Sequence, residues 1–325
     1  MLRVLSVLLA LAPTAPSQDA AAPPAPSFAF LQHPPRGLPP MPLPTDYTPT
    51  AAMFELGQRL FHDGILSADR TVTCSSCHPA VNGFASPLPQ PLGVAGRRAL
   101  RHAPVLWNRG YGTAQRWDGG SRDLETFVLE PIADPNEMHL PLDQAIERLR
   151  ADADYARAFA AAFAAPPSRA TLQRALATFV RGIARGDAGY DRFVGGDADA
   201  LTPQQRTGLW VFESKGGCWR CHTPPLFTDE AFHNTGVGVR DGSAEPGRAQ
   251  VTGRRDDTGR WKTPTLRGVA SSAPYMHDGS LATLDDVVAF YARGGTANAQ
   301  LDPRLRPIDL TPGERLALVA FLSSL

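Results

Sequence analysis

The chain of 325 residues carries 32 basic and 32 acidic side chains, so its formal net charge at pH 7 is zero. A nucleic-acid-binding surface needs a surplus of lysine and arginine on one face, and the sequence contains no such basic run. Beyond the N-terminus no apolar segment reaches the about 20 residues that a membrane-spanning helix requires. The composition therefore excludes nucleic-acid binding and predicts a protein without a membrane span.

The first residues have the pattern of a secretory signal peptide. Arg3 precedes an apolar run over 4–12, and small residues follow that run. The run is too short to cross a bilayer, and Pro13 and Pro16 count against the alternative of a short buried helix. We therefore expect residues 1–17 to be a signal peptide and the protein to be exported, although the pattern alone does not distinguish the periplasm from another exported compartment.

Residues 18–48 are so rich in proline that neither a helix nor a central strand is expected there. We predict a linker that acts as a tether or as an arm wrapped on the surface. The remaining part of the chain, about 275 residues, fits two domains of ordinary size. A stretch rich in glycine and aspartate over 184–200 is the expected joint, which divides the chain into domains 49–188 and 189–325.

Apolar residues recur with helical spacing in three segments of the first domain. We predict amphipathic helices over 53–61, over 143–163 and over 172–183. Gly186 ends the third of these helices.

Two helices of the second domain are marked by their first residues. Thr202 and Thr311 each begin a capping box, in which Gln205 and Glu314 occupy the third helical position and a proline the first. Strand-like alternation is scarce along the whole chain. The sequence therefore predicts a mainly α protein with long loops rich in glycine and proline.

All four cysteines occur in two Cys-x-x-Cys-His motifs, at 74–78 and 218–222. A thioredoxin-like redox pair expects a βαβ setting, and a zinc site needs four ligands where each motif offers three. Two disulfides remain as an alternative. Covalent attachment of a c-type haem needs this arrangement, because two thiols bond the vinyl groups and the adjacent imidazole reaches the iron. We predict one haem on Cys74, Cys77 and His78 and a second on Cys218, Cys221 and His222.

From Phe54 onward the sequence resembles a known family, the bacterial di-haem cytochrome c peroxidases and their MauG-type relatives. Four phrases carry the resemblance: FELGQRLFHDGILSADRTVTCSSCH, RWDGGSRDLETFVLEPIADPNEM, FTDEAFHNTGVG and WKTPTLRGVASSAPYMHDGSLATLDDVVAFY. The resemblance implies two cytochrome c-like helical domains with one haem each, and a periplasmic location. It also implies that the N-terminal haem meets peroxide while the C-terminal haem stores or relays oxidising equivalents.

At the first haem, the resemblance implies an iron with one open face. The histidine that caps this iron in resting peroxidases is matched by Val94, which cannot ligate a metal. His102 is the other donor nearby, either as a ligand that swings in or as a histidine of the loop or seam. Glu137 matches the carboxylate that moves protons on peroxide. Phe127 matches an assisting glutamine, which implies a drier pocket.

At the second haem, Tyr291 matches the position of an axial methionine, a substitution typical of the MauG type. A phenolate oxygen favours oxidised iron and so lowers the reduction potential. Met276 is the rival ligand. Tyr291 also shares a helical face with Leu284 and Val288, which leaves a purely structural place in the core open. His277 is expected to bond a haem propionate.

Trp117 matches the tryptophan that lies between the haems in the family, where an indole can carry an electron hole from one iron to the other; a plain core residue is the alternative. MauG-type relatives pass holes to a protein substrate through a surface tryptophan. That position is Gly216 here. Trp219 is the close substitute, and it either serves this purpose or covers the haem edge.

The family also holds a calcium ion at the seam. The residues that supply its backbone carbonyl ligands match Ser272 and Pro274, but His102 occupies the position of its asparagine ligand. Calcium prefers oxygen donors, so we expect a site that is weakened, filled by water or lost.

Three functions follow. The first is an exported di-haem oxidoreductase of MauG-like type, in which hydrogen peroxide reacts at the open haem and both haems share the oxidising equivalents that oxidise an external donor, a protein included. The second is reduction of peroxide to water with electrons from a small cytochrome c or a cupredoxin. The third is a non-catalytic electron carrier, against which Val94 argues. The sequence names neither substrate nor donor, and it leaves a homodimer open.

Overall fold

The computed structural model describes residues 24–325, so the predicted signal peptide at 1–17 lies outside the described residues. The described part is mainly helical, as predicted. The first half, which we define as residues 49–188, contains α1 (Ala51–His62), α2 (Cys74–Cys77), α3 (Leu124–Phe127), α4 (Glu130–Ala133), α5 (Leu142–Ala151), α6 (Ala153–Phe163) and α7 (Arg169–Arg181). The second half, residues 189–325, contains α8 (Gly189–Val194), α9 (Pro203–Glu213), β1 (Phe232–His233), α10 (Ala249–Thr252), β2 (Trp261–Lys262), α11 (Leu284–Ala292) and α12 (Pro312–Leu322).

Each half is built on two helices that pack together at a glycine. A Cβ atom on Gly57 of α1 would lie 2.0 Å from the carbonyl oxygen of Ala175 in α7. A Cβ atom on Gly208 of α9 would lie 1.9 Å from the carbonyl oxygen of Ala317 in α12. Only glycine allows backbones to approach this closely. The two halves therefore repeat one helix pair, with a Cys-x-x-Cys-His motif after the first helix of each.

Apolar side chains of these helix pairs and of the segments packed on them form a separate core in each half. Leu60, Leu66, Ile132, Leu149, Phe159 and Leu172 lie in the core of the first half. Leu201, Val211, Phe212, Phe227, Phe321 and Leu325 lie in the core of the second.

The capping boxes predicted for α9 and α12 are confirmed. The Thr202 hydroxyl accepts from the Gln205 N–H at 3.2 Å, and the Gln205 side chain accepts from the Thr202 N–H at 2.9 Å. Thr311 and Glu314 exchange the same two hydrogen bonds at 3.2 and 2.8 Å. Each pair satisfies N–H groups that the first turn of a helix leaves without a partner.

The single helix predicted over 143–163 is wrong, because the structure divides it into α5 and α6 at Asp152. The Asp152 carboxylate accepts from the backbone N–H groups of Asp154 and Tyr155, both at 3.0 Å. A short acidic side chain that binds free N–H groups begins a new helix. The apolar spacing continues across this break and therefore did not reveal it.

The proline-rich segment over 24–48 lies along both halves. Among the hydrogen bonds that hold it are the Ser27 N–H to the Gly182 carbonyl at 3.0 Å, the Asp187 N–H to the Arg36 carbonyl at 2.8 Å, the Arg267 guanidinium to the Gly37 carbonyl at 3.3 Å and the Tyr111 hydroxyl to the Pro39 carbonyl at 2.8 Å. None of the helices formed by residues 24–325 is long and apolar enough to span a membrane.

Candidate haem sites and active site

The first Cys-x-x-Cys-His motif forms one helical turn that ends in a fixed imidazole. The Thr73 hydroxyl caps α2, and the His78 N–H donates to the Cys74 carbonyl at 2.9 Å. Nδ1 of His78 lies 2.8 Å from the carbonyl oxygen of Phe84. A carbonyl only accepts hydrogen bonds, so Nδ1 carries the proton and Nε2 keeps its lone pair for a metal.

The second motif repeats this arrangement. The His222 N–H donates to the Cys218 carbonyl at 2.9 Å, and Nδ1 of His222 lies 3.0 Å from the Phe227 carbonyl. Phe84 and Phe227 are both buried, and their φ angles of 58° and 54° lie in the left-handed region. This uncommon conformation in both residues turns a carbonyl toward the imidazole of each motif.

All four cysteines are free thiols, so the alternative of two disulfides is wrong. Burial raises the pKa of Cys74 and of Cys218 to about 12.

Five buried side-chain nitrogen atoms of described residues have no hydrogen-bond partner. Two belong to Arg174 and Arg181, and the other three are ring nitrogens: Trp107 Nε1, Trp261 Nε1 and His277 Nε2. Buried donors are normally satisfied, and each haem carries two carboxylates that accept. Trp107 contacts Phe84 edge-on at 5.0 Å, next to the first motif, while His277 stacks on Trp261 at 3.9 Å. The free donors and the two oriented imidazoles fit a haem on each motif.

The structure brings Val94 and Glu137 together. The Val94 N–H donates to the Glu137 carbonyl at 2.8 Å, and the Val94 side chain is buried. A Cβ atom on Gly93 would lie 2.1 Å from the Asn136 carbonyl oxygen, so the loop needs glycine to approach this closely. Val94 therefore places an apolar side chain beside the segment that carries the acid.

Burial raises the pKa of Glu137 to about 7; Asp134 raises it further, while Arg116 opposes the shift. The negative charge of Glu137 in turn raises the pKa values of Cys74 and Cys77. The carboxyl group therefore lies close enough to the first motif to influence both thiols. Phe127, from the same phrase of sequence, packs partly buried against a cluster that includes Leu124.

Trp117, His102 and His277 meet where the two halves contact each other. The indole Nε1 of Trp117 donates to the His102 carbonyl at 2.8 Å, and the His102 N–H donates to the His277 carbonyl at 2.9 Å. Nδ1 of His102 lies 3.1 Å from the Leu88 carbonyl. The rings of Trp117 and His277 are 6.4 Å apart, edge to face. The backbone of His102 thus holds the indole between the halves.

Tyr291 lies on α11, close enough to the second motif for Cys218 and Cys221 to influence its hydroxyl. Burial raises the pKa of its hydroxyl to about 12, and the sulfur atoms of Cys221 and Cys218 raise it further against an opposing hydrogen bond from Thr235. Met276, the rival ligand, has a left-handed backbone with φ 76°.

These sites agree with three comparisons. The family model of di-haem cytochrome c peroxidase matches residues 51–199. The methylamine utilization protein MauG of Methylorubrum extorquens is 36% identical over 274 residues, which cover 83% of this chain and 77% of the relative. The chain belongs to the di-haem cytochrome c peroxidase and MauG family. It is therefore a peroxidase-type oxidoreductase, and membership implies two c-type haems.

Two further matches extend over most of this di-haem peroxidase. The cytochrome-c peroxidase IdrP1 of Denitromonas iodatirespirans is 34% identical over 358 residues, with 99% of this chain and 93% of the relative covered. A solved MauG-like protein associated with microbial copper homeostasis superimposes with a TM-score of 0.83 at 34% identity, covering 89% of this chain and 93% of the other.

One turn, which the sequence did not predict, is repeated in both halves of the di-haem peroxidase. Isolated bridges pair Gln115 with Ser121 and Tyr275 with Leu281. Trp117 and His277 occupy the same place in the two turns, each two residues after the first bridge partner. The phrases RWDGGS and YMHDGSL contain this repeat as a shared Asp-Gly, but the signal is too short to find without the structure.

His233 was also missed, although it lies in one of the phrases that carry the family resemblance. Nε2 of His233 is 2.9 Å from Asp229, and Nδ1 is 2.9 Å from Asp302. Burial lowers the pKa of His233, but hydrogen bonds to Cys221 and Asp229 outweigh it and raise the pKa to about 9. Both ring nitrogens lie within hydrogen-bond distance of carboxylates, which argues against a metal site formed by Cys221, Asp229 and His233.

Proposed function

We propose that hydrogen peroxide reacts in the first half of this enzyme, on the side of a haem where Val94 leaves the iron open. The haem would be held by Cys74, Cys77 and His78, and when bound it supplies the iron at which the O–O bond breaks. The observation that carries the proposal is the backbone hydrogen bond between Val94 and Glu137, because it holds a residue with no ligand atom beside the segment that carries a partly buried acid.

Glu137 is the proposed proton carrier. Reduction of one peroxide to two waters takes up two protons, and O–O cleavage needs a proton moved from one oxygen to the other. A carboxyl group with a pKa of about 7 exchanges protons readily in both directions near neutral pH. Phe127 adds no polar atom to this pocket, so we assign proton transfer to Glu137 alone.

In the second half we propose that His222 and Tyr291 would hold the iron of a haem attached to Cys218 and Cys221. After burial, Cys221 and Cys218 also raise the pKa of the Tyr291 hydroxyl. This effect supports the assignment, because it requires the oxygen to lie near the cysteines that would attach the haem. A phenolate stabilises oxidised iron. Trp117, held between the halves by the His102 carbonyl, is the proposed route along which oxidising equivalents pass between the two sites. They then oxidise an external donor, for which a protein side chain is one candidate.

A second function, reduction of peroxide to water with electrons from a small cytochrome c or a cupredoxin, is favoured by a different observation. The relative that covers 99% of this chain is named a cytochrome-c peroxidase, and Gly216 stands where MauG-type relatives carry the surface tryptophan. Trp219, which is 45% exposed, is the aromatic residue of the second motif that an external donor would reach.

We further propose that the protein is exported to the periplasm, with cleavage near Ser17, and that it folds as two cytochrome c-like domains joined near residue 188. A calcium ion at Ser272 and Pro274 and a homodimer stay predictions. The presence of His102 at the third ligand position counts against a strong calcium site.

The spin states of the resting ferric holoenzyme test the proposal. Electron paramagnetic resonance should show one high-spin and one low-spin haem, since only the first iron has an open face. The matched variant Val94→His supplies a ligand at that position and should convert the first haem to low spin and slow its reaction with peroxide. Two low-spin haems in the unaltered protein would instead support the non-catalytic electron carrier or a capped peroxidase. Peroxide turnover with reduced cytochrome c, set against turnover with a tyrosine-bearing protein, then separates the two enzymatic functions.

A further inference from the structure

Three aromatic rings and one guanidinium form a column that starts at Trp117. The ring of His277 lies 6.4 Å from the Trp117 ring, and the indole of Trp261 stacks on His277 at 3.9 Å with an angle of 19° between their planes. The Arg101 guanidinium lies over the Trp261 ring, 4.8 Å from its centroid. Trp261 is therefore in direct ring contact with the residue that neighbours the proposed route between the haems.

Arg101 is held in place at the outer end of this column. One of its Nη atoms lies 2.9 Å from the Glu245 carboxylate, and its side chain is one-third exposed. The Trp261 ring beneath it is buried. The next residue, His102, carries the carbonyl that accepts from Trp117. Two adjacent residues therefore hold the two ends of the column: Arg101 covers Trp261, and His102 binds Trp117.

We propose that electron holes on the route through Trp117 can also oxidise Trp261, and that Arg101 disfavours this oxidation. The proposal rests on the proposed function, because the holes originate from peroxide. A cation over an indole stabilises the neutral ring and opposes the radical cation, so Arg101 makes Trp261 harder to oxidise. Trp117 has no such cation over its ring among the contacts of the described residues. Holes therefore stay between the two sites while a donor approaches.

Oxidation of Trp261 would leave a product that can be measured. When no donor is present, Trp261 gives up two electrons and two protons and gains one water, which forms hydroxytryptophan. The two electrons and two protons reduce one hydrogen peroxide to two waters. The net reaction converts one peroxide and one tryptophan into one hydroxytryptophan and one water, so each peroxide modifies at most one side chain.

The test uses the holoenzyme with one equivalent of peroxide and no donor, followed by mass spectrometry of the peptide that contains Trp261. Arg101→Gln removes the cation and keeps a donor for Glu245, and it should raise oxidation of Trp261 on the order of tenfold. Arg98→Gln is the matched control, because Arg98 is an exposed residue of the same segment. Arg101→Lys should restore protection. The double variant Arg101→Gln with Trp261→Phe should lose the product.

A second arm replaces peroxide with a photogenerated one-electron oxidant, and the exposed Trp210 serves as internal reference. Arg101→Gln should again raise oxidation at Trp261 while oxidation at Trp210 stays unchanged. Equal oxidation of Trp261 in the wild type and in Arg101→Gln, in both arms, overturns the proposal. An unaltered enzyme that does not consume peroxide overturns the proposed function instead, while the second arm still decides the effect of Arg101.

Discussion

Val94 donates its backbone N–H to the carbonyl of Glu137 across 2.8 Å, although 43 positions separate the two residues in the chain. Val94 has an apolar side chain with no ligand atom, and Glu137 has a partly buried carboxyl group. A histidine at position 94 could bind the iron of the first haem and block it. Valine cannot, so peroxide could bind there and exchange protons with Glu137. This pair is the basis of our proposal that peroxide reacts in this pocket without prior activation.

The rate of the peroxide reaction should rise with pH, with a midpoint near 7. The incoming peroxide gives its proton to the ionised carboxylate of Glu137, whose pKa is raised to about 7. Glu137→Gln should remove this pH dependence and lower the rate by about 10²- to 10⁴-fold. Stopped-flow kinetics between pH 5 and 9 measures both effects. Glu147→Gln, an exposed change on α5, is the control and should leave the profile as it is; an unchanged profile in Glu137→Gln contradicts the assignment.

Glu137 should also weaken the folded state as pH rises. Its pKa in the folded protein lies above the usual 4.5, so between about pH 4.5 and 7 the folded chain holds a proton that the unfolded chain has released. The free energy of unfolding therefore falls through this window, by roughly 3 kcal/mol. Urea unfolding of Glu137→Gln should show a smaller fall than the unaltered protein.

Tyr291→Met should raise the reduction potential of the second haem by on the order of hundreds of mV, because sulfur favours ferrous iron where phenolate favours ferric iron. Spectroelectrochemical titration measures the change. Tyr275→Phe is the matched control, since its hydroxyl donates to the Val269 carbonyl in the same half at 3.1 Å. If Tyr291→Met leaves the potential where it was, Tyr291 is not the ligand and Met276 becomes the residue to replace.

Gly208→Ala should reduce the free energy of unfolding by roughly 1–3 kcal/mol, since the new Cβ would lie 1.9 Å from a carbonyl oxygen of α12 and the helices would have to separate. Gly57→Ala should act similarly in the first half, where the distance is 2.0 Å. Gly313→Ala meets nothing within 4 Å, and as a helical glycine replaced by alanine it should stabilise by about 0.5 kcal/mol. Urea denaturation of the three variant holoproteins measures these changes in the free energy of unfolding. If all three variants are as stable as the unaltered protein, Gly57 and Gly208 do not set the distance between the helices.

His102→Asn should create a stronger calcium site, because it replaces an imidazole with the oxygen donor that the ion prefers and so completes the ligand set that the family resemblance implies with the carbonyls of Ser272 and Pro274. Calcium content after dialysis against a chelator, measured by atomic emission, should rise in the variant and stay low in the unaltered protein. His139→Asn changes an exposed histidine and should retain no calcium. A full equivalent of calcium in the unaltered protein would show that His102 does not weaken the site.

Local signals were sufficient for some features of this structure. The capping boxes of α9 and α12 could be read from a few adjacent residues, because the side chains that satisfy the helix ends lie within one turn. The break at Asp152 escaped detection since apolar spacing runs through it. The left-handed Phe84 and Phe227 could not be foreseen either, because bulky residues adopt that conformation only when the surrounding structure holds them there.

The sequence by itself determined the chemistry of attachment and the family. Two thiols and an imidazole must lie within one helical turn to hold a c-type haem, and that requirement is written in five consecutive residues. Only the tertiary structure decided which distant residues act together. Trp117, His102 and His277 meet through backbone hydrogen bonds, and Arg101 covers Trp261 from a loop of the other half. Such contacts depend on how the two halves pack, and packing joins positions that no local spacing in the chain connects.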